Sequence, residues 1–184
     1  MVFEFYPDEK LGDIYQQYRQ VLTAHPKASA FFMEYRQDEW HAEHVGQKIE
    51  NYLRAAGSAR PFFCVGNHDQ PRIASRLGAE RARALHFLNL LTPGVSVMYY
   101  GDEIGMTNGE LTAEDIQDKF SPANSTIDSR DLERTPMQWD DTRFAGFSSI
   151  QPWLPVHANA TRTNVLTQAI QLNQIGRASC RERV

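Results

Sequence analysis

The sequence predicts an α/β fold built from parallel strands joined by crossover helices. Two observations predict it. Four short apolar runs alternate with three stretches of helical periodicity along the first 100 residues. Breaker signals separate the runs, with Pro7-Asp8, Gly57 and Thr92-Pro93-Gly94 at the joints. Such alternation gives parallel strands with helices on the sheet faces. A doubly wound sheet and a barrel both satisfy it, and both place chemistry at the carboxyl ends of strands.

The elements follow in order. Met1 to Tyr6 reads as a short strand that Pro7-Asp8 ends. Leu11 to Ala24 has the helical period, with Leu11, Ile14, Tyr15, Tyr18 and Leu22 on one face. Ala30-Phe31-Phe32-Met33 is apolar enough for a second strand. Ala42, Val45, Ile49, Tyr52, Leu53 and Ala56 again recur at helical spacing, with Gly57 as the stop. Pro61-Phe62-Phe63-Cys64-Val65 is a third strand. Ala82, Leu85, Leu88 and Leu91 mark a third helix, closed by Thr92-Pro93-Gly94. Val95 to Tyr100 is the last strand. After Met106 the regularity fades, and Thr107 to Ile127 is a polar loop long enough to imply a role.

Composition narrows the function classes. The chain has 184 residues, 41% hydrophobic and 23% charged, in keeping with a globular unit. Its formal net charge is -4 and it carries no basic run, which argues against a nucleic-acid partner. No apolar stretch approaches the roughly 20 residues of a membrane span, so no membrane partner is expected. The two cysteines, Cys64 and Cys180, do not make a disulfide framework. His41 and His44 sit three apart on a predicted helix without an identifiable acidic or thiol companion, so no metal site is expected. No glycine-rich phosphate loop is present, and no cofactor is expected.

Three segments carry the chemical signal. Asn67-His68-Asp69-Gln70-Pro71-Arg72 follows the third apolar strand. Gly101-Asp102-Glu103-Ile104-Gly105-Met106 follows the fourth. Ser129-Arg130-Asp131-Leu132-Glu133-Arg134-Thr135-Pro136-Met137-Gln138-Trp139-Asp140 comes later. In this order and spacing they resemble glycoside hydrolase family 13, the α-amylase superfamily, in its α-glucosidase and oligo-1,6-glucosidase branch. The resemblance covers residues 1–174 and implies the second half of a TIM (β/α)8 barrel, with the lead-in to a C-terminal β domain. Residues 175–184 resemble the translation of a common sequencing adapter and are expected to be non-native.

The resemblance also assigns roles. Asp69 corresponds to the aspartate that grips ring hydroxyls and stabilises an oxocarbenium-like transition state. His68 and Arg130 correspond to sugar-binding residues, Arg130 toward the non-reducing end. Val2-Phe3-Glu4-Phe5-Tyr6 is similar to the family's Val-Gly-Glu-x-Tyr segment, which makes Glu4 the general acid and base. Phe3 departs from that pattern by replacing a glycine. The interval from Glu4 to Asp69, about 65 positions, fits three strands and two helices. Trp40 falls where relatives carry a tryptophan. Arg134 is expected to support the segment leading to Trp139. Asp102 and Glu103 would face opposite ways on a strand and so are not the catalytic pair. Phe147, Trp153, Leu154 and Pro155 match the segment before the C-terminal domain and are expected to pack.

Retaining glycosidases need an acid and a nucleophile about 5 Å apart. The family's nucleophile lies on the strand before the acid. The nucleophile and the N-terminal half of the barrel are therefore expected to be absent from this chain. A fragment of a retaining exo-acting α-glucosidase, inactive alone, follows as the expectation, with short α-glucosides (maltose or isomaltose) as substrate. A transferring or isomerising member of the family (trehalose synthase, sucrose isomerase) and a non-enzymatic transporter heavy-chain ectodomain are the alternatives.

Overall fold

The computed structural model describes residues 2–3, 5, 8, 10, 12–25, 27–32, 41–119 and 129–171. Glu4, Leu11, Met33, Trp40, residues 120–128 and the tail 175–184 lie outside the described residues. The chain divides into two compact units, Met1–Gly66 with Arg83–Met98, and Asn67–Ala82 with Tyr99–Val184.

The first unit holds the sheet. Strands β1 (Val2–Phe3), β2 (Ser29–Phe32), β3 (Phe62–Cys64) and β4 (Val95–Val97) pair in parallel in the order β1-β2-β3-β4. Val2 pairs with Ser29, Phe32 with Phe63, and Cys64 with Val97. Parallel neighbours in chain order require a crossover between each pair, and the helices supply it. The strands are shorter than the apolar runs suggest. The chain has left β4 before it reaches Tyr99 and Tyr100, the residues with which the second unit resumes.

Helix α1 (Ile14–Ala24) starts where Asp13 accepts the Tyr15 amide hydrogen at 2.9 Å. It buries Tyr18 and Leu22. Helix α2 (Ala42–Ala56) buries Val45, Ile49, Tyr52, Ala55 and Ala56, a stripe at the helical period. Between the helices and the sheet lies an aromatic core. Tyr18, Phe32, Tyr52 and Phe63 are all fully buried. The Phe32 and Tyr52 rings stack at 4.7 Å, and Tyr18 and Phe63 meet Tyr52 edge-on at 5.1 and 5.3 Å. The hydroxyls are spent on the sheet. Tyr18 donates to the Phe31 carbonyl at 3.0 Å and Tyr52 donates to the Ala30 carbonyl. Burial pushes the Tyr52 phenol up to about 12.

Two helices differ from expectation. Helix α3 (Ile73–Leu77) is too short for periodicity to reveal. Helix α4 (Ala79–Leu91) buries Ala82, Leu85, His86 and Asn89. Leu88 and Leu91, whose spacing marks the helix, are 36% and 66% exposed. Apolar residues occur all round this helix, so spacing alone could not choose the buried side. Burial holds the His86 imidazole below its ordinary range.

The second unit is mostly turns and 3-10 segments. Asp102–Ile104, Arg130–Glu133 and Ala158–Thr161 are 3-10 turns, and residues 165–171 are helical. Ile104, Met106 and Met137 form its apolar centre, with Val165 packed against them. Gln138 ties the segment together. Its side-chain amide donates to Asn159 Oδ1 at 3.0 Å and to the Thr163 carbonyl, while the Gln138 backbone carbonyl accepts from the Val165 amide at 3.1 Å. Leu154 is fully buried, as packing requires, but Phe147 and Trp153 are 51% and 74% exposed. The expectation that all of this segment packs therefore holds for Leu154 and not for the two aromatic rings.

Candidate functional site

The chain enters the second unit at Asn67. Asn67 Oδ1 accepts the Asp69 amide hydrogen at 2.9 Å, an Asx turn that this residue type favours. The turn leaves the His68 side chain 59% exposed and the Asp69 side chain 25% exposed. His68 Nε2 lies 3.4 Å from Asp69 Oδ2. The carboxylate is thus positioned by its own backbone yet open on one side.

Two arginines converge on the other oxygen. Arg130 Nη1 donates to Asp69 Oδ1 at 2.9 Å, and Arg134 Nη2 donates to the same atom at 3.0 Å. Arg134 Nε also donates to the His68 carbonyl at 2.9 Å. Ser129 starts a 3-10 turn, its hydroxyl accepting the Asp131 amide hydrogen at 3.2 Å; Arg130 opens the turn and Arg134 is the residue that caps its end. Their spacing of four places both guanidinium groups on Asp69.

Arg130 makes a second engagement. Its Nε and Nη2 donate to Asp118 Oδ2 and Oδ1, each at 2.8 Å. The hydrogen bonds to Asp118, and then to Asp69, hold the Arg130 guanidinium above its ordinary range against the opposing effect of desolvation.

A buried arginine underlies the turn. The Arg72 side chain is fully buried. Its Nη1 donates to the Tyr100 carbonyl at 2.7 Å, and its amide donates to Asn108 Oδ1 at 2.7 Å. The Tyr99 and Tyr100 rings stand 5.1 and 4.8 Å from the guanidinium carbon. Asp102 Oδ1 is 3.7 Å from Nη1. Burial nevertheless pushes Asp102 up to about 7, outweighing the attraction of Arg72. Glu133 is also pushed up to about 7 by burial, against the pull of Arg134 and Arg72. Tyr100 anchors the arginine segment by donating its hydroxyl to the Thr135 carbonyl at 2.7 Å. Gly101 is required here. Its φ is +84°, and a Cβ would meet Met106 Sδ at 2.3 Å and Arg72 Nη1 at 3.0 Å.

The structure brings His68, Asp69 and Arg130 together. Glu4 lies outside the described residues. Asp102 is buried and Glu103 exposed, and they sit on a 3-10 turn rather than a strand. Arg134, expected to support the segment leading to Trp139, bonds Asp69 and the His68 carbonyl. Asp118 was not singled out at all. The only signal that could have found it is the length of the polar loop that carries it.

Asp69 Oδ1 is engaged by two guanidinium groups, which leaves Oδ2, 3.4 Å from His68 Nε2, as the oxygen with capacity for a further donor. A carboxylate and planar donors side by side match vicinal hydroxyl groups.

Comparison with known proteins gives the same direction. A family model described as the catalytic domain of α-amylase matches residues 5–177. The chain is 46% identical to an α-glucosidase of Apis mellifera over 116 residues, 60% of this chain and 20% of that protein. It is 45% identical to Maltase 1 of Drosophila virilis over 130 residues, 66% of this chain and 20% of that protein. A solved structure of a mutant of the trehalulose synthase MutB superposes with a TM-score of 0.68 at 29% identity, covering 83% of this chain and 35% of that one. The chain therefore spans only about 20% of the length of these curated relatives.

Proposed function

We propose, for a chain that belongs to the α-amylase catalytic-domain family, that it carries the sugar-holding part of a retaining exo-acting α-glucosidase. The single observation that carries this reading is the carboxylate of Asp69 gripped by Arg130 and Arg134 beside an exposed His68. In this reading the terminal glucose of maltose or isomaltose enters against Asp69, His68 and Arg130. Asp69 and Arg130 bond its ring hydroxyls. These bonds tighten as the ring flattens toward the oxocarbenium-like state, and that difference lowers the barrier. Glu4 serves as acid and base. A retaining mechanism also needs a second carboxyl group. The identity to insect α-glucosidases supports the glucosidase reading.

The anomeric outcome tests the reaction class. With maltose, the full-length enzyme is expected to release α-glucose first, followed by NMR of the anomeric proton. β-Glucose as the first product would overturn the retaining reading. Purified alone, residues 1–174 are expected to leave p-nitrophenyl α-glucoside unhydrolysed. Turnover that copurifies with the fragment and disappears in Asp69→Asn would contradict that.

One observation favours a second reading, in which the enzyme transfers or isomerises. The superposed structure is that of a trehalulose synthase. Incubation with sucrose separates the two. Glucose and fructose support hydrolysis, and a rearranged disaccharide supports isomerisation.

A further inference from the structure

The segment from Gln117 to Asp131 is tied at its neck by two acidic residues. Asp131 is 2% exposed, and its Oδ2 accepts the amide hydrogens of Gln117 at 2.6 Å and Asp118 at 2.7 Å. That contact fixes the backbone of residue 118. The Asp118 side chain, 3% exposed, then receives Arg130 through a two-pronged fork, with Nε on Oδ2 and Nη2 on Oδ1. The Arg130 amide adds a third donor to Oδ2 at 3.3 Å.

A guanidinium group is planar, and a two-point fork defines that plane. With the Nε and Nη2 edge held on Asp118, the Nη1 edge projects in one direction, and Asp69 Oδ1 lies there at 2.9 Å. The Arg130 side chain is itself 28% exposed. Without the fork it would exchange among solvent-facing rotamers, at the cost of the order that the pair needs. A solvated surface pair would contribute little to that order. This one is different, because the carboxylate is nearly buried and receives the donors just named.

We infer that Asp118 is a positioning residue that sets the orientation of Arg130, so that Arg130 and Asp69 meet the terminal sugar as a preformed pair. The inference rests on the glucosidase reading and adds to it a residue outside the three motif segments. Asp118 acts through Arg130, and Asp131 acts through Asp118.

A double-mutant cycle in the full-length enzyme tests this, with p-nitrophenyl α-glucoside as the probe. Asp118→Ala and Asp118→Asn are each expected to lower kcat/KM by roughly 10- to 100-fold. Asp118→Glu should recover part of the loss. Because Asp118 acts through Arg130, adding Asp118→Ala to Arg130→Ala should cost no more than about twofold further. Losses that multiply would overturn the inference while leaving the glucosidase reading intact. Should Asp118→Ala fail to fold, Asp118→Asn, equal in size, carries the same cycle. A wild-type enzyme without hydrolysis would overturn the glucosidase reading, and this inference with it.

Discussion

Arg134 Nη2 lies 3.0 Å from Asp69 Oδ1, while its Nε reaches the carbonyl of the residue before Asp69. One guanidinium therefore holds both the side chain and the turn that presents it. Arg134→Ala in the full-length enzyme is expected to lower kcat/KM for p-nitrophenyl α-glucoside by roughly 10- to 100-fold. Arg134→Lys should recover only part of this, because an ammonium cannot serve both acceptors with the fixed geometry of a fork. Equal activity of the lysine variant and wild type would contradict the assignment.

Asp102 supplies a pH dependence. Burial raises its carboxyl from 3.8 to about 7, so the folded protein binds a proton there that the unfolded chain releases. Its contribution to stability is present below about 4 and is lost as pH rises through about 7, with a slope near 1.4 kcal/mol per pH unit between. Glu133, raised from 4.5 to about 7, acts in the same sense. The stability of wild type relative to Asp102→Asn should fall across that window and level off above it. Denaturant unfolding at a series of pH values checks this, and a difference that does not change with pH would contradict it.

Gly101→Ala combines two costs. The backbone there is left-handed at φ +84°, and the added methyl meets buried Met106 and Arg72. A loss of about 2–4 kcal/mol is expected. Thermal unfolding reads it, and an unchanged midpoint would show that the turn relaxes freely.

Asn67→Ala removes the acceptor that closes the turn before Asp69. The expected loss is about 1 kcal/mol of stability, together with a weaker hold on the sugar. Asn67→Asp should retain most of both, since a carboxylate oxygen accepts the same amide hydrogen. Measuring KM and unfolding midpoints for the two variants separates the turn from a general loss of packing.

Much of the fold was legible because short-range rules governed it. Val45, Ile49, Tyr52 and Ala56 recur at one period, and one face of α2 is buried accordingly. Helix α4 resisted the same rule, since Phe87, Leu88, Leu90 and Leu91 make its exposed face as apolar as its buried one. Asp69 and Arg130 were legible through the motifs around them. Asp118 and the function of Arg134 were not. An acidic residue in a polar loop has no local mark that distinguishes a solvated side chain from the seat of an arginine 12 positions away. Only the tertiary arrangement pairs them. Glu4 rests on a five-residue likeness and on its interval to Asp69.

The most direct measurement concerns Asp69 itself. In the full-length enzyme, Asp69→Asn preserves the shape of the side chain but removes the charge that meets the two arginines. Hydrolysis of p-nitrophenyl α-glucoside is expected to fall by roughly 10³-fold or more, with the variant still unfolding cooperatively. A variant that hydrolyses at a rate near wild type would show that Asp69 has no part in the chemistry.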